Sequence, residues 1–173
     1  PPGQIRSMPQ PVIAAVNGVA ITGGFELLTS CDLLIGTPQT KFADTHARLG
    51  IVAGWGLSQR LPQLIGINRA KELSFTGNYL SAEQACEWGL LNRVVPEQEL
   101  MPCCLELARD MLSCVPNAVQ TAKRMLEGGF ALSLGGGMSL EHEIGKSYRG
   151  ADPIEIAARR SALQERGREQ SGA

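Results

Sequence analysis

The chain has 173 residues, of which 43% are hydrophobic and 19% are charged. This balance excludes a disordered chain and is typical of a globular protein that can bury a core. The net charge of −1 indicates no nucleic-acid or membrane-surface partner, and no apolar run is long enough to span a membrane.

The first informative segment passes from an apolar strand, through a glycine turn, into a helix. Residues 12–16 are a short apolar run, as expected of a parallel strand covered on both faces, and Asn17-Gly18 ends it. A helix is predicted from Gly23 to about Ser30. Gly23-Gly24 lets the backbone approach a ligand closely, and free N–H groups at a helix start suit a developing oxyanion. Glu26 lies in the first turn, within reach of the same ligand.

Alternating strands and helices are predicted up to residue 95, and helices alone after it. Ser81–Gln84 resembles a capping box that opens a helix. Three glycines at 135–137 weaken a helix, so we predict a loosened turn there, with Ser139 as the next N-cap. The predicted strands are 31–36, 40–43 and 91–95; the predicted helices are 58–65, 67–75, 81–88, 97–113, 116–128, 139–148 and 153–167; residues 44–56 are predicted as a loop, and Gly128-Gly129 as a helix break.

The five cysteines show neither the spacing of a zinc site nor that of a disulfide framework. We therefore predict no metal site, and interpret the thiols as buried or idle groups in a reducing compartment. The cysteines are at positions 31, 86, 103, 104 and 114.

A set of residues in the first half of the chain resembles the signature of the crotonase (enoyl-CoA hydratase/isomerase) superfamily. The core of the resemblance is Pro11–Gly18, followed by Gly23-Gly24-x-Glu26-Leu27 and then by Cys31-Asp32. The match continues in order to about residue 96, whereas the later part matches only as a pattern of helices. The further matching positions are Phe42, Leu49-Gly50, Gly54, Gly56, Gln59-Arg60-Leu61, Ile65-Gly66, Ala70, Leu73, Thr76-Gly77, Ser81-Ala82, Ala85, Gly89-Leu90 and Val94-Val95.

The resemblance implies an α/β fold, a crotonase-like spiral of ββα units followed by a helical oligomerisation region. Residues 1–96 would be the C-terminal portion of the spiral core, and residues 97–173 the region that builds trimers, often paired into hexamers. The implied substrate is a coenzyme A thioester, with no permanently bound cofactor and no metal. Because the chain begins at an inner strand, we expect further residues before Pro1.

The resemblance also implies roles for individual residues. Gly23 N–H would be one oxyanion donor, its partner lying before Pro1, and Glu26 would be the general acid or base rather than merely a first-turn carboxylate. His46 stands where the hydratases have a second Glu, and either transfers protons or is a structural loop residue. The other implied substrate-binding positions are Gly24, at the helix start; Gly54, close to the reacting carbons; and Trp55, which either shapes the acyl pocket or anchors the core. Asp44, two residues before His46, is either a compensating acid or a turn residue.

Three functions are compatible with these residues. The preferred one is a lyase that adds water across a trans-2-enoyl-CoA. The alternatives are an enoyl-CoA isomerase that uses a single Glu, and a non-catalytic structural subunit of a larger assembly. An intracellular location is expected, mitochondrial in preference to cytoplasmic, and the chain does not end in the peroxisomal Ser-Lys-Leu signal.

Overall fold

The computed structural model describes residues 2–171, which fall into two compact units divided after Lys123. The first unit alternates short strands with helices, and the second is helical. Along the first unit the α-helices and strands are α1 (Pro2–Ser7), β1 (Ile13–Val16), β2 (Val19–Ile21), α2 (Gly23–Leu28), β3 (Leu33–Gly36), β4 (Lys41–Ala43), α3 (Leu57–Ile65), α4 (Ile67–Thr76), β5 (Leu80–Ser81), α5 (Ala82–Glu87), β6 (Arg93–Val94), α6 (Leu100–Ser113) and α7 (Pro116–Phe130), and single 3-10 turns form at Ala47–Leu49 and Glu97–Glu99. The division falls within α7, and the second unit adds α8 (Leu134–Ser147) and α9 (Pro153–Ser171).

The strands of the first unit form two small sheets in which parallel pairing prevails. One sheet has the order β1-β3-β6, and all its pairs are parallel. In the other, of order β2-β4-β5, β2 runs parallel to β4 and β5 runs antiparallel to it. The predicted parallel character of the strand at 12–16 is therefore confirmed, and each successive turn of the chain adds one strand to each sheet.

The hydrophobic core of the first unit lies between the sheets and the helices that cover them. At its centre the fully buried rings of Phe25 in α2 and Phe42 in β4 pack with their centroids 5.2 Å apart. The apolar faces of α3 and α4 contribute Leu57, Leu61 and Leu73 to the same cluster. This packing fixes α2 against β4, the element that leads into the loop with His46.

The structure corrects several predicted element boundaries. The sequence pattern does not predict α1, β2 or β5; the two strands have three and two residues, too few for a clear period-two pattern. The Ser81 half of the predicted capping box is confirmed, since Ser81 Oγ accepts a hydrogen bond from the N–H of Gln84 at 3.3 Å. The assignment of residues 1–96 to the spiral core and of residues 97–173 to an oligomerisation region stays a prediction.

The glycine-rich stretches of the second unit lie inside helices rather than between them. Gly128-Gly129 belongs to α7 and the glycines at 135–137 belong to α8, whose N-cap is Ser133 and not Ser139. Glycine is favoured there because the helices approach closely: a Cβ on Gly137 would lie 3.2 Å from the carbonyl oxygen of Gly129. Tight helix packing thus outweighs the low helix propensity of glycine.

The Phe25–Phe42 contact predicts that removing a buried aromatic ring lowers the free energy of unfolding much more than removing an exposed one. Replacing Phe42 by Ala leaves a cavity beside Phe25 and should lower the free energy of unfolding by about 3–5 kcal/mol. The matched control is Phe75→Ala, because the ring of Phe75 is exposed, and its effect should stay within about 0.5 kcal/mol. Urea denaturation followed by circular dichroism measures both, and equal losses would contradict the assigned core.

Candidate active site

The candidate site lies where two parallel strands end. β2 pairs with β4 so that Ile21 lies beside Ala43, the last residue of each strand. The carboxyl ends of parallel strands meet at the same edge of a sheet. The residues that follow these strands, α2 with Glu26 and the loop with Asp44 and His46, are therefore brought together.

Glu26 is a buried carboxylate in the first turn of α2, with only 3% of its surface exposed. Its Oε1 accepts a hydrogen bond from the backbone N–H of Trp55 at 2.7 Å. Its Oε2 lies 3.5 Å from Nε2 of His46. Because a buried charge is costly unless it is paired or hydrogen-bonded, these two contacts hold the side chain in a defined position.

His46 lies between two carboxylates. Its Nδ1 is 2.6 Å from Oδ1 of Asp44, and its Nε2 faces Glu26. All three side chains are buried, so Asp44, His46 and Glu26 form a continuous polar row beside the aromatic core. The structure thus brings Glu26 and His46 together, a contact that either of the two roles predicted for His46 would allow.

Trp55 contacts the site through its backbone and through its ring. Its N–H holds Glu26, and its indole lies against Gly23, so that a Cβ on Gly23 would be 3.3 Å from Cζ3 of the ring. The side chain is nevertheless 53% exposed, which contradicts the alternative that Trp55 anchors the core. The ring instead covers the start of α2.

Gly24 and Gly54 face open space. A Cβ on either residue would meet no atom within 4 Å, and neither has a positive φ angle. Within residues 2–171, no neighbouring element therefore requires glycine at these two positions. The space in front of them is what the close approach of a ligand would need, which is the role expected for both residues.

Two residues, Thr22 and Asp44, have structural roles at the site that the sequence did not predict. Thr22, the N-cap of α2, has φ 47° and ψ −121°, a conformation that costs a β-branched residue about 1–3 kcal/mol. No local sequence signal marks this strain. Asp44, predicted to be either a compensating acid or a turn residue, accepts the N–H of His46 at 3.3 Å and also contacts the imidazole. The Asp-x-His spacing is the sequence signal for this contact.

None of the five cysteines is among the residues of this site. Burial raises the pKa of the Cys31 thiol, and the carboxylate of Asp32 raises it further, against the smaller lowering effects of Lys123 and Arg60. Burial likewise raises the pKa of Cys104. All five thiols are free, and within residues 2–171 no group of three or more His, Cys, Asp or Glu side chains could hold a metal ion.

Sequence and structure comparisons place the chain in a known class of α/β proteins. The family model for enoyl-CoA hydratase/isomerase matches residues 3–167. The probable peroxisomal enoyl-CoA hydratase 1 of Arabidopsis thaliana is 41% identical over 145 residues, 84% of this chain and 55% of that protein. The short-chain-enoyl-CoA hydratase of Clostridium acetobutylicum is 37% identical over 140 residues, 81% of this chain and 54% of that protein. The chain belongs to the enoyl-CoA hydratase/isomerase family.

Solved structures agree with this assignment and confirm the expected crotonase-like fold. The enoyl-CoA hydratase of Bacillus anthracis superposes with a TM-score of 0.83 at 37% identity, covering 97% of this chain and 63% of that one. The probable enoyl-CoA hydratase/isomerase of Mycobacterium abscessus gives a TM-score of 0.86 at 31% identity, covering 95% and 63%. The chain spans about half the length of the curated relatives it matches.

The contact between Gly23 and Trp55 predicts different effects for two adjacent substitutions. Gly23→Ala should displace the indole by a few tenths of an ångström, because the added Cβ would lie only 3.3 Å from it. Gly24→Ala is the matched control, since nothing lies within 4 Å of its added Cβ. The chain has two tryptophans, so a Trp88→Phe background leaves the signal of Trp55. In that background the tryptophan fluorescence should change for Gly23→Ala and not for Gly24→Ala. An unchanged spectrum for both variants would refute the contact.

Proposed function

We propose that this protein is an enoyl-CoA hydratase, a lyase that adds water across the double bond of a trans-2-enoyl-CoA. The observation that carries the proposal is the placement of Glu26: a buried carboxylate in the first turn of α2, fixed by the N–H of Trp55. Membership of the enoyl-CoA hydratase/isomerase family and the printed activities of the relatives support the same reaction.

The start of α2 supplies the proposed oxyanion donor. The N–H groups of a first helical turn have no acceptor within the helix, because the residues four positions earlier precede it. The N–H of Gly23 would stabilise the thioester oxygen as it becomes an enolate, an interaction whose loss typically costs about 2.7–4 kcal/mol in the barrier. The strained backbone of Thr22 sets the direction in which this N–H points.

Glu26 is the proposed acid and base. Its carboxylate takes a proton from the water that attacks the β-carbon, and the α-carbon receives a proton to complete the addition. His46 replaces the second carboxylate of the two-Glu hydratases, and a neighbouring imidazole can exchange a proton with Glu26 near neutral pH. Both residues are catalytic candidates on this proposal.

The proposed acyl pocket lies between Gly24, Gly54 and the ring of Trp55. Open space in front of the two glycines admits the acyl chain next to the backbone, and the exposed indole provides an apolar wall. Coenzyme A is on this proposal part of the substrate rather than a bound cofactor.

The remaining expectations about assembly and location are also proposals. We propose trimers, or hexamers, built by residues 97–173. None of the helices within residues 2–171 has the length and apolar character needed to cross a bilayer. An intracellular location suits an acyl-CoA substrate. A relative from Arabidopsis thaliana is described as peroxisomal, so the relatives do not favour the mitochondrial location expected from the sequence.

Enoyl-CoA isomerisation is the second candidate, and the imidazole at position 46 favours it. Isomerisation needs one base to move one proton between two carbons, and Glu26 is the carboxylate beside the open glycines. Incubation with a 3-enoyl-CoA distinguishes the two reactions. A 2-enoyl product that is not hydrated further would identify the protein as an isomerase and contradict the hydratase.

Substitution of Glu26 tests the proposed function. Glu26→Gln retains an acceptor for the N–H of Trp55 but cannot exchange a proton, so hydration of crotonyl-CoA should fall about 10²–10⁴-fold. The control is Glu83→Gln, because Glu83 is an exposed carboxylate that also lies in the first turn of a helix, and its activity should stay unchanged. The decrease in absorbance of the enoyl thioester measures both variants.

Two outcomes would contradict the hydratase. Unchanged turnover in Glu26→Gln would remove Glu26 from the chemistry. Absence of turnover in the parent protein, together with no crotonyl-CoA binding in calorimetry, would favour the non-catalytic structural subunit.

A further inference from the structure

We propose that Asp44 is a positioning residue, which holds His46 in the tautomer protonated on Nδ1 and so turns the Nε2 lone pair toward Glu26. The inference rests on the proposed function and deepens it. It makes the imidazole and the Glu26 carboxylate a pair that shares one proton, in place of two carboxylates.

The contact between Asp44 and His46 determines the tautomer. An ionised carboxylate can only accept hydrogen bonds, so an Oδ1–Nδ1 distance of 2.6 Å requires the proton on Nδ1. The same Oδ1 accepts the backbone N–H of His46. This second bond fixes the carboxylate relative to the backbone that carries the ring.

The second ring nitrogen then faces Glu26 with no proton of its own in the neutral form. Nε2 lies 3.5 Å from Oε2, while Oε1 is occupied by the N–H of Trp55. A proton between the two residues therefore lies either on Oε2, with a neutral imidazole, or on Nε2, with a carboxylate. In the second state a positively charged imidazolium lies between Asp44 and Glu26, and its charge stabilises these two buried carboxylates.

Proton transfer to and from this pair accounts for every proton that moves during hydration. The O–H bond of water breaks, its oxygen bonds to the β-carbon, and its proton passes to Glu26. The α-carbon receives one proton from the same pair, so Glu26 and His46 return to their starting state after each addition. Asp44 takes no proton; it keeps Nε2 available to exchange one with Glu26.

The first test is spectroscopic and independent of activity. The chain has two histidines, so long-range ¹H–¹⁵N correlation of imidazole-labelled protein gives two resolvable patterns. His46 should carry a proton on Nδ1, whereas the exposed His142 serves as the internal reference for a solvated ring. In Asp44→Asn the pattern of His46 should change and that of His142 should not. A bare Nδ1 and a protonated Nε2 in the parent protein would overturn the proposal.

The second test is kinetic. Asp44→Asn keeps a side-chain acceptor for the N–H of His46 but loses the charge, so kcat for crotonyl-CoA should fall about 10²-fold or more, with KM within a few-fold. His46→Gln should fall by a similar factor, and the double variant by no more than either, because both act through Glu26. Losses that multiply would overturn the shared role.

The two proposals fail in different ways. An inactive parent protein whose His46 is protonated on Nδ1 would remove the hydratase and leave the positioning contact. An active parent protein whose kcat and tautomer are unchanged in Asp44→Asn would remove the positioning role and leave the hydratase.

Discussion

The parallel pairing of β2 with β4 is the constraint on which the candidate site depends. Its register sets Ile21 beside Ala43, and the N–H of Thr22 continues the pairing to the carbonyl of Ala43 at 3.3 Å. A slip of one residue would turn the side chains of one strand to the opposite face. Phe25 and Phe42 prevent such a slip, because their rings must meet in the core. The same register therefore fixes both the core and the polar row.

A polar row beside an apolar core is stable only when its members satisfy one another. Glu26 has the N–H of Trp55 and the imidazole, and His46 has a carboxylate at each ring nitrogen. Removing one partner leaves a buried group unpaired, which typically costs about 1–3 kcal/mol, more for a charge. The loop from Asp44 to Trp55 thus contributes to the fold as well as to the proposed chemistry, since it supplies three of these contacts.

The sequence could predict the elements that carry a strong local pattern and could not predict those set by tertiary contacts. The helix at Gly23 and the Ser81 cap follow from glycine placement and capping chemistry, and the structure confirms both. The two-residue β5 exists only through its pairing with β4. Gly135–Gly137 was interpreted wrongly, because helix propensity cannot reveal that Gly129 and Gly137 approach each other. Likewise, the family resemblance related His46 to Glu26, but only the fold shows that Asp44 contacts the other nitrogen of the ring.

The exchange of a carboxylate for an imidazole alters the electrostatics of the proposed site in a definite way. Two glutamates that face one substrate repel each other, so one of them tends to retain a proton. An imidazole beside one glutamate binds that carboxyl group instead of repelling it, and the two groups share one proton. That division requires a fixed ring, since a neutral imidazole with its proton on Nε2 would donate to Glu26 and could accept nothing from it. The short contact from Asp44 to Nδ1 is the feature of the fold that meets this requirement, and it follows directly from the end of β4.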